Sequence, residues 1–231
     1  EDTPGILART LVEDMIEVES AVSVFPPAVH TFNGILSHEN VNIKARSKFA
    51  DEDFFNIFSF SLIYGNTDQV LKDKYAVAIS EAVAINLFNS TEAAIGKTLD
   101  WKGERHSGQF VVAGIFKTLH SNSSIQFDMV FSYNLFLDIF PNFLEWHSNG
   151  PSTYIILDEN ADVAEFNKKI AGLVKSKYKE STLILFLRKY SDRYLYSDYE
   201  NGVQSGGRIG YVRLFSIIAG LILLIACINF M

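Results

Sequence analysis

Few residues of this chain stand at the spacings that chemistry demands. Gly96-Lys97-Thr98 has the ending of a phosphate-binding loop, in which backbone N–H groups and a lysine cradle phosphate oxygens. That cradle needs a glycine five positions before Gly96, and position 91 is Thr, so Lys97 is expected as a solvated strand residue. The histidines His30, His38, His106, His120 and His147 are scattered, none at helical i, i+4 spacing and none beside a second ligand type in a recognisable pattern. Asp51-Glu52-Asp53 supplies carboxylates for a calcium or catalytic cluster, but three acids ahead of an aromatic turn fit better as a helix N-terminus interacting with the helix dipole. No Gly-x-Ser-x-Gly elbow occurs, and Cys227 lies in an apolar tail, where it is an inert small hydrophobe. Asn89-Ser90-Thr91 and Asn122-Ser123-Ser124 match the glycosylation acceptor pattern, which means nothing if the source is bacterial. The expectation is therefore no catalytic residue, no cofactor, no bound metal and no nucleotide.

Composition narrows the class. With 231 residues, 48% hydrophobic and 13% aromatic, the chain has material for one sizeable core or two modest ones, and disorder is excluded. The net charge of −7 argues against a nucleic-acid partner, because phosphate binding needs clustered Lys and Arg. A single cysteine rules out an intrachain disulfide and a Cys-x-x-Cys site, which suits the cytoplasm and a periplasmic domain equally.

The elements that carry these residues read as mixed α and β. Thr3-Pro4 looks like a helix start, with Leu7, Leu11, Met15 and Val18 on one face. A strand at Ala21–Phe25 is followed by a hairpin, 29–36 with 41–49, around His38-Glu39-Asn40. Asp51-Glu52-Asp53 then opens a turn carrying Phe54, Phe55 and Phe58. Tyr75–Ile79 is a strand and Ser80 caps a helix to Phe88. A second hairpin joins 96–101 to 109–119, and a strand at 126–131 leads to a short helix ending before Pro141. Further on, a strand at 153–157 precedes a helix with Asp162 and Glu165 at capping-box spacing and Phe166, Ile170, Leu173 and Val174 on its apolar face, then a strand at 182–187. This unit resembles the helix and strands of 5–49, so the two chain ends are expected to share a sheet. Glycines 202, 206, 207 and 210 mark a flexible or tightly turning connection.

The tail carries the strongest signal. Leu214 to Met231 contains no charge, and only Ser216 and Asn229 are strongly polar. About 18 or more such residues suffice for a bilayer span, whereas about 10–14 more often form a core helix. The residues expected inside the membrane are Leu214, Phe215, Ile217, Ile218, Leu221, Ile222, Leu223, Leu224, Ile225 and Ile228. One continuous helix is expected from about Arg208 onward; the competing reading is a buried C-terminal helix of a soluble domain. The abrupt end on Met231, with no initiator Met or signal peptide at the start, gives the expectation of a segment cut from a longer membrane protein. All of the −7 belongs to residues 1–213, and an acidic domain beside a span suits the outer side of a bacterial inner membrane.

The tail RLFSIIAGLILLIACINFM closely resembles the second transmembrane helix of macrolide-exporter-type (MacB-like, FtsX-like) ABC permeases, in the versions typical of Bacteroidetes. FADEDFFNIFSFSLIYGN, AVAISEAVAINLFNS, AAIGKTLDW, FVVAGIFKTLHSNSSIQFDMVFS and STYIILDENADVAEFNKKI resemble, in order, segments of that family's periplasmic core domain, and the aromatic run Tyr190–Tyr196 completes a match over nearly the whole chain. Ala94, Asn89 and His120 depart from the family at turn positions where Pro, Gly and Pro are usual.

The resemblance implies an α+β, two-lobed periplasmic domain. A porter-like α/β lobe would be built from residues 1–55 and 150–207, an inserted lobe from 56–149, and a stalk and transmembrane start from 208–231. It also implies a bacterial inner-membrane location with this domain in the periplasm. The partners implied are a second permease copy, a cytoplasmic ATPase, a periplasmic adaptor, an outer-membrane channel and the lipid bilayer. The function implied is mechanical coupling of ATP hydrolysis to export or to action on periplasmic partners, with ATPase activity in a separate subunit or domain. Two other classes stand beside it: a membrane-anchored sensor or ligand-binding module for a peptide, lipid or antibiotic, which a well-formed apolar pocket would favour, and an exported enzyme, which needs convergent titratable groups in one cleft.

Overall fold

A computed structural model describes residues 2–27, 30–123, 125–200 and 203–230. The chain falls into two compact units, Glu1–Ala161 and Asp162–Met231. In the first, α1 (Leu7–Asp14) precedes β1 (Val18–Phe25), the hairpin of β2 (Phe32–His38) and β3 (Val41–Ala50), the single-turn α2 (Phe54–Ile57) and the short β4 (Leu62–Tyr64). Then β5 (Ala76–Ser80) runs directly into α3 (Glu81–Phe88) and α4 (Thr91–Ala94). A second hairpin, β6 (Thr98–Gly103) with β7 (Ser107–Phe116), is followed by β8 (Met129–Ser132), α5 (Tyr133–Ile139), a 3-10 turn and β9 (Ser152–Leu157).

The ladders close on themselves. β2 pairs with β6, β6 with β7, β7 with β5, β5 with β8, β8 with β3, and β3 again with β2, a ring of six strands. The β5–β7 and β3–β8 pairs are parallel and the others antiparallel. β1 extends the sheet from the far end of β3, and β9 lies beside β1 with Val22 opposite Tyr154. Alternate residues of each strand point into and out of the ring, so there are two cores. The inner one holds Leu36, Phe49, Ile79, Trp101, Phe110 and Phe131, with α3 and α5 adding Leu87 and Phe136. The outer one sets Val24, Ala78, Phe116 and Val130 against Phe54, Phe55, Val70 and Phe127. Every residue of β5 and β8 is buried, which explains why both are apolar up to their final serines, Ser80 and Ser132.

Local sequence accounts for the element ends. Ser80 Oγ accepts from Val83 N–H at 3.3 Å at the start of α3, as expected of an N-cap. Asn89 ends that helix at φ +64°, a left-handed conformation that asparagine tolerates, which is how it stands in for glycine. The turn between β2 and β3 reverses at Glu39-Asn40, with His38 opposite Val41.

Three local expectations are corrected. Thr3 and Pro4 do not start a helix: Thr3 Oγ1 donates to the Pro151 carbonyl at 2.9 Å and Pro4 bridges to Asn149, so α1 begins only at Leu7. Met15 and Val18 accordingly leave its face, Met15 as an extended cap and Val18 as the first residue of β1. Asp51 does not serve the short α2; it accepts the Ser23 N–H at 2.8 Å, because the β1–β3 ladder ends there and leaves that donor without a strand partner.

In the second unit, α6 (Val163–Ala171) and α7 (Leu173–Lys177) bury Phe166, Ile170, Leu173 and Val174, and Asp162 caps the N–H groups of Ala164 and Glu165. Residues 182–187 form no ladder among the described residues; the Leu187 N–H is taken instead by Asn167 Oδ1 at 2.7 Å. A small hairpin, β10 (Asp198–Glu200) with β11 (Val203–Gly206), occupies part of the expected connection, and Gly202 lies outside the described residues. The last element, α8 (Ile209–Phe230), is one continuous helix of 22 residues.

The β1–β9 ladder joins the two chain ends as the repeated end units suggested. The ring, however, takes β2 and β3 from residues before 55 and β5 to β8 from residues after it, and the compact units divide after Ala161.

Ring packing yields a test. A Cβ on Gly34 would lie 2.4 Å from the Trp101 ring and 2.9 Å from the Lys102 carbonyl, whereas one on Gly172 meets nothing within 4 Å. Gly34→Ala should lower stability by about 1–3 kcal/mol in urea unfolding, and Gly172→Ala should stay within about 1 kcal/mol of the parent.

Candidate functional site

The residues singled out for chemistry are scattered by the fold. Gly96 turns at φ +73°, and the Lys97 N–H closes the turn on the Ala94 carbonyl, so no ring of N–H groups surrounds a phosphate position. His38 offers Nδ1 to the Thr98 carbonyl at 3.0 Å and stacks near Phe88, while the His30 and His120 carbonyls accept from Lys48 and Gln126. Among the described residues no group of three His, Cys, Asp or Glu side chains could hold a metal ion.

Two partly buried groups carry large pKa shifts that the sequence does not signal. His106 is placed by the tight β6–β7 turn against Phe131, Phe49 and Trp101, with ring centroids 4.8, 5.2 and 6.0 Å away. Burial pushes its pKa down to about 4, and neither its Nε2 nor the Trp101 Nε1 finds a partner. Asp51, at the end of β3, is pushed up to about 6 by burial, against the opposing pull of the Ser23 N–H and of Arg9. Tyr133 stands nearby; its hydroxyl donates to the Gly5 carbonyl at 2.9 Å, and burial and the Asp51 charge raise its pKa. Ser23 Oγ is close enough to both to influence them but makes no well-formed hydrogen bond. Asp51, Tyr133, Ser23 and Arg9 thus link α1, β1, β3 and α5.

One open cleft of about 900 Å3 lies on the outer face of the ring, lined among others by Asn33, Ile35, Lys44, Arg46, Lys102 and Asp128. Arg46 clamps Asp128 in a two-pronged pair, Nε to Oδ2 at 2.9 Å and Nη2 to Oδ1 at 3.1 Å, and the Arg46 N–H reaches Oδ2 at 2.8 Å. This pair ties β3 to the start of β8. The cleft is lined by the cations Lys44, Arg46 and Lys102 and by the carboxylates Glu104 and Asp128, of which Asp128 is held by Arg46.

The second unit presents a different surface. From Tyr211 to Phe230 every side chain of α8 is exposed, and the mean hydropathy of its most apolar 18-residue window is 2.4. Of the residues expected in the membrane, Leu214, Ile217, Leu221, Leu224 and Ile228 are 52 to 63% exposed, with the remainder covering the other sides of the helix. The helix is thus apolar all round, long enough to cross a bilayer, and not used as a core by its own unit. Its start is fixed by Gly207 at φ +138°, where a Cβ would lie 2.5 Å from the Leu195 carbonyl. The Ile209 N–H donates to that same carbonyl at 3.0 Å, and the Arg208 guanidinium lies 4.5 Å from the Tyr194 ring centroid.

The opposed shifts of His106 and Asp51 predict the pH response. His106 has a folded pKa below its unfolded value of 6.5, so its contribution is complete above 6.5 and is lost as pH falls toward 4. Asp51 has a folded pKa above its unfolded value of 3.8, so its contribution is complete below 3.8 and is lost as pH rises through 6. His106→Phe should therefore give a melting temperature that rises on acidification from pH 6.5 to 4 relative to the parent, and Asp51→Asn one that falls more steeply. Thermal circular dichroism across that range checks both, and identical profiles for all three proteins would contradict the assignment.

Comparison with known proteins agrees with this geometry. The family model for the MacB-like periplasmic core domain matches residues 3–173. No curated protein gives a significant match. Among solved structures, a domain of a putative permease from Porphyromonas gingivalis is 23% identical with a TM-score of 0.64, covering 79% of this chain and 82% of that one. The periplasmic region of MacB from Actinobacillus actinomycetemcomitans is 18% identical with a TM-score of 0.54, covering 76% and 75%. The extracellular domain of the ABC-type transporter YknZ from Gram-positive bacteria is 14% identical with a TM-score of 0.54, covering 77% and 85%. At these identities the structures speak for the fold, and the family match for the lineage: the chain belongs to the family of MacB-like periplasmic core domains.

Proposed function

We propose that this domain is the extracytoplasmic part of an ABC transporter permease in a bacterial inner membrane, and that it transmits the energy of ATP hydrolysis mechanically to export or to a periplasmic partner. The observation that carries the reading is a 22-residue helix, exposed on every side from Tyr211 onward and apolar from Leu214, in a chain that carries a MacB-like periplasmic core domain. In this reading Leu214, Phe215, Ile217, Ile218, Leu221, Ile222, Leu223, Leu224, Ile225 and Ile228 lie in lipid. The ATPase is a separate cytoplasmic subunit or domain, a second permease copy completes the transporter, and a periplasmic adaptor and outer-membrane channel receive its action. The domain itself catalyses nothing; its chemistry is shape change.

The division into an end-built lobe, 1–55 with 150–207, and an inserted lobe, 56–149, belongs to the same proposal. The β1–β9 ladder favours it, and the ring shared by both segments weighs against large independent movement. The open cleft beside Lys44 and Lys102 keeps a ligand-binding role in play as a second reading.

Two experiments test the first reading. Deleting residues 214–231 should leave the thermal unfolding of residues 1–213 nearly unchanged and raise solubility in size-exclusion chromatography, whereas a core helix would take the fold with it. In the complete transporter, Gly207→Val should disturb the junction below α8, because its Cβ would collide with the Leu195 carbonyl. We expect ATP hydrolysis to continue while export falls about tenfold or more, roughly the effect of a misplaced coupling element. Export at the parental rate would contradict mechanical transmission through this junction.

A further inference from the structure

The segment leading into α8 reverses the charge of the chain. Residues 188–213 carry five basic and three acidic side chains, a net of +2, while residues 1–187 carry a net of −9. Basic groups are thus gathered where the chain turns apolar, beside Tyr190, Tyr194, Tyr196, Tyr199 and Tyr211.

The second unit holds these groups in defined positions. Arg208 lies 4.5 Å from the Tyr194 ring centroid, Arg188 5.6 Å from that of Tyr199, and Arg193 6.0 Å from that of Tyr190. A guanidinium resting on a ring face keeps its N–H edge available to an anion. Among the described residues, none of Arg193, Arg208 and Arg213 is paired with a carboxylate. Tyr194 and Tyr211 are 68% and 67% exposed. The turn at 190–196 is bound to the helix start through the Leu195 carbonyl and the Ile209 N–H, so turn and first helical residues form one collar.

The height of the collar is set by helix geometry. At about 1.5 Å per residue, Arg213 lies roughly 6 Å above Ile209 along the axis, and Leu214 begins the apolar stretch immediately after it. The polar layer on each side of the hydrocarbon is of order 5–8 Å thick. A collar of that height, made of tyrosines and arginines, matches the headgroup layer in both size and chemistry.

We propose that the arginine–tyrosine collar of residues 188–213 binds the phosphate groups of anionic phospholipids and so fixes the depth at which α8 enters the bilayer. The proposal rests on the reading of α8 as a membrane helix. Arg193, Arg208 and Arg213 hold phosphate oxygens, and the tyrosine rings lie at the ester level between headgroup and chain.

The test uses the whole chain, reconstituted in phosphatidylcholine vesicles that contain a trace of spin-labelled phosphatidylglycerol or spin-labelled phosphatidylcholine. Electron spin resonance should show phosphatidylglycerol enriched about three- to tenfold in the motionally restricted lipid shell, the scale expected of a few basic residues at a membrane surface. The enrichment should fall to near unity in about 1 M salt, where charges are screened within about 3 Å. The triple variant Arg193→Gln, Arg208→Gln, Arg213→Gln should lose it, and the corresponding triple lysine variant should keep most of it, with helix content by circular dichroism confirming that both fold. Equal association of the two lipids with the parent chain, or an unchanged preference in the glutamine variant, overturns the proposal while the chain still floats with the vesicles. Failure to float with either vesicle would remove the membrane-helix reading itself.

Discussion

Strands buried on both faces are apolar except at their last residues, Ser80 and Ser132, and that constraint organises the first unit. β5 and β8 pair inside the six-stranded ring with one face toward Leu87 and Phe136 and the other toward Phe55 and Phe127. Aromatic rings fill the inside: Phe131 has Phe49 at 5.3 Å, Trp101 at 5.5 Å and Phe110 at 4.7 Å. Large-to-small changes in such a cluster cost about 3–5 kcal/mol each. The polar groups trapped near these cores are mostly used for structure, Ser80 as a cap and Lys48 as a tie. Lys48 is 1% exposed, and its ammonium donates to the Pro26 carbonyl at 3.0 Å and the His30 carbonyl at 2.6 Å, which offsets the cost of burying a charge.

The second unit obeys the opposite constraint. In the first, apolar side chains are withdrawn from water by the fold; along α8 they are left outward, on every side, by a helix that has no polar face. Such a surface is stable only in lipid or against another protein. Gly207 and the 190–196 turn set the start of this helix through the Leu195 carbonyl, which accepts the Ile209 N–H.

Local signals were legible in the sequence where one residue decides the outcome. Ser80 and Asp162 cap the helices they precede, Phe166, Ile170, Leu173 and Val174 are buried together on α6 and α7, and the apolar tail is one helix. Thr3-Pro4 misled because the same two residues can start a helix or pair with a distant segment, and the contact with 149–151 is invisible locally. The ring escaped notice for a related reason: closure depends on β2 finding β6, more than 60 residues away, and nothing local encodes that pairing. Its one trace was the apolar run of β5, which marks a strand covered on both faces. Lys48 and His106 read as ordinary surface residues by type; their burial follows from tertiary packing alone.

Cys227 offers the most direct measurement of the central claim, because it is the one cysteine of the chain and lies 13 residues into the apolar stretch that starts at Leu214. At about 1.5 Å per residue it would be roughly 20 Å deep, within a hydrocarbon core of about 30 Å. With the chain reconstituted in vesicles, a charged, membrane-impermeant maleimide should leave Cys227 unlabelled until the bilayer and the protein are dissolved in sodium dodecyl sulfate, and should then label it fully. Labelling in intact vesicles at the rate seen after dissolution would show that α8 does not lie in lipid and would contradict the account.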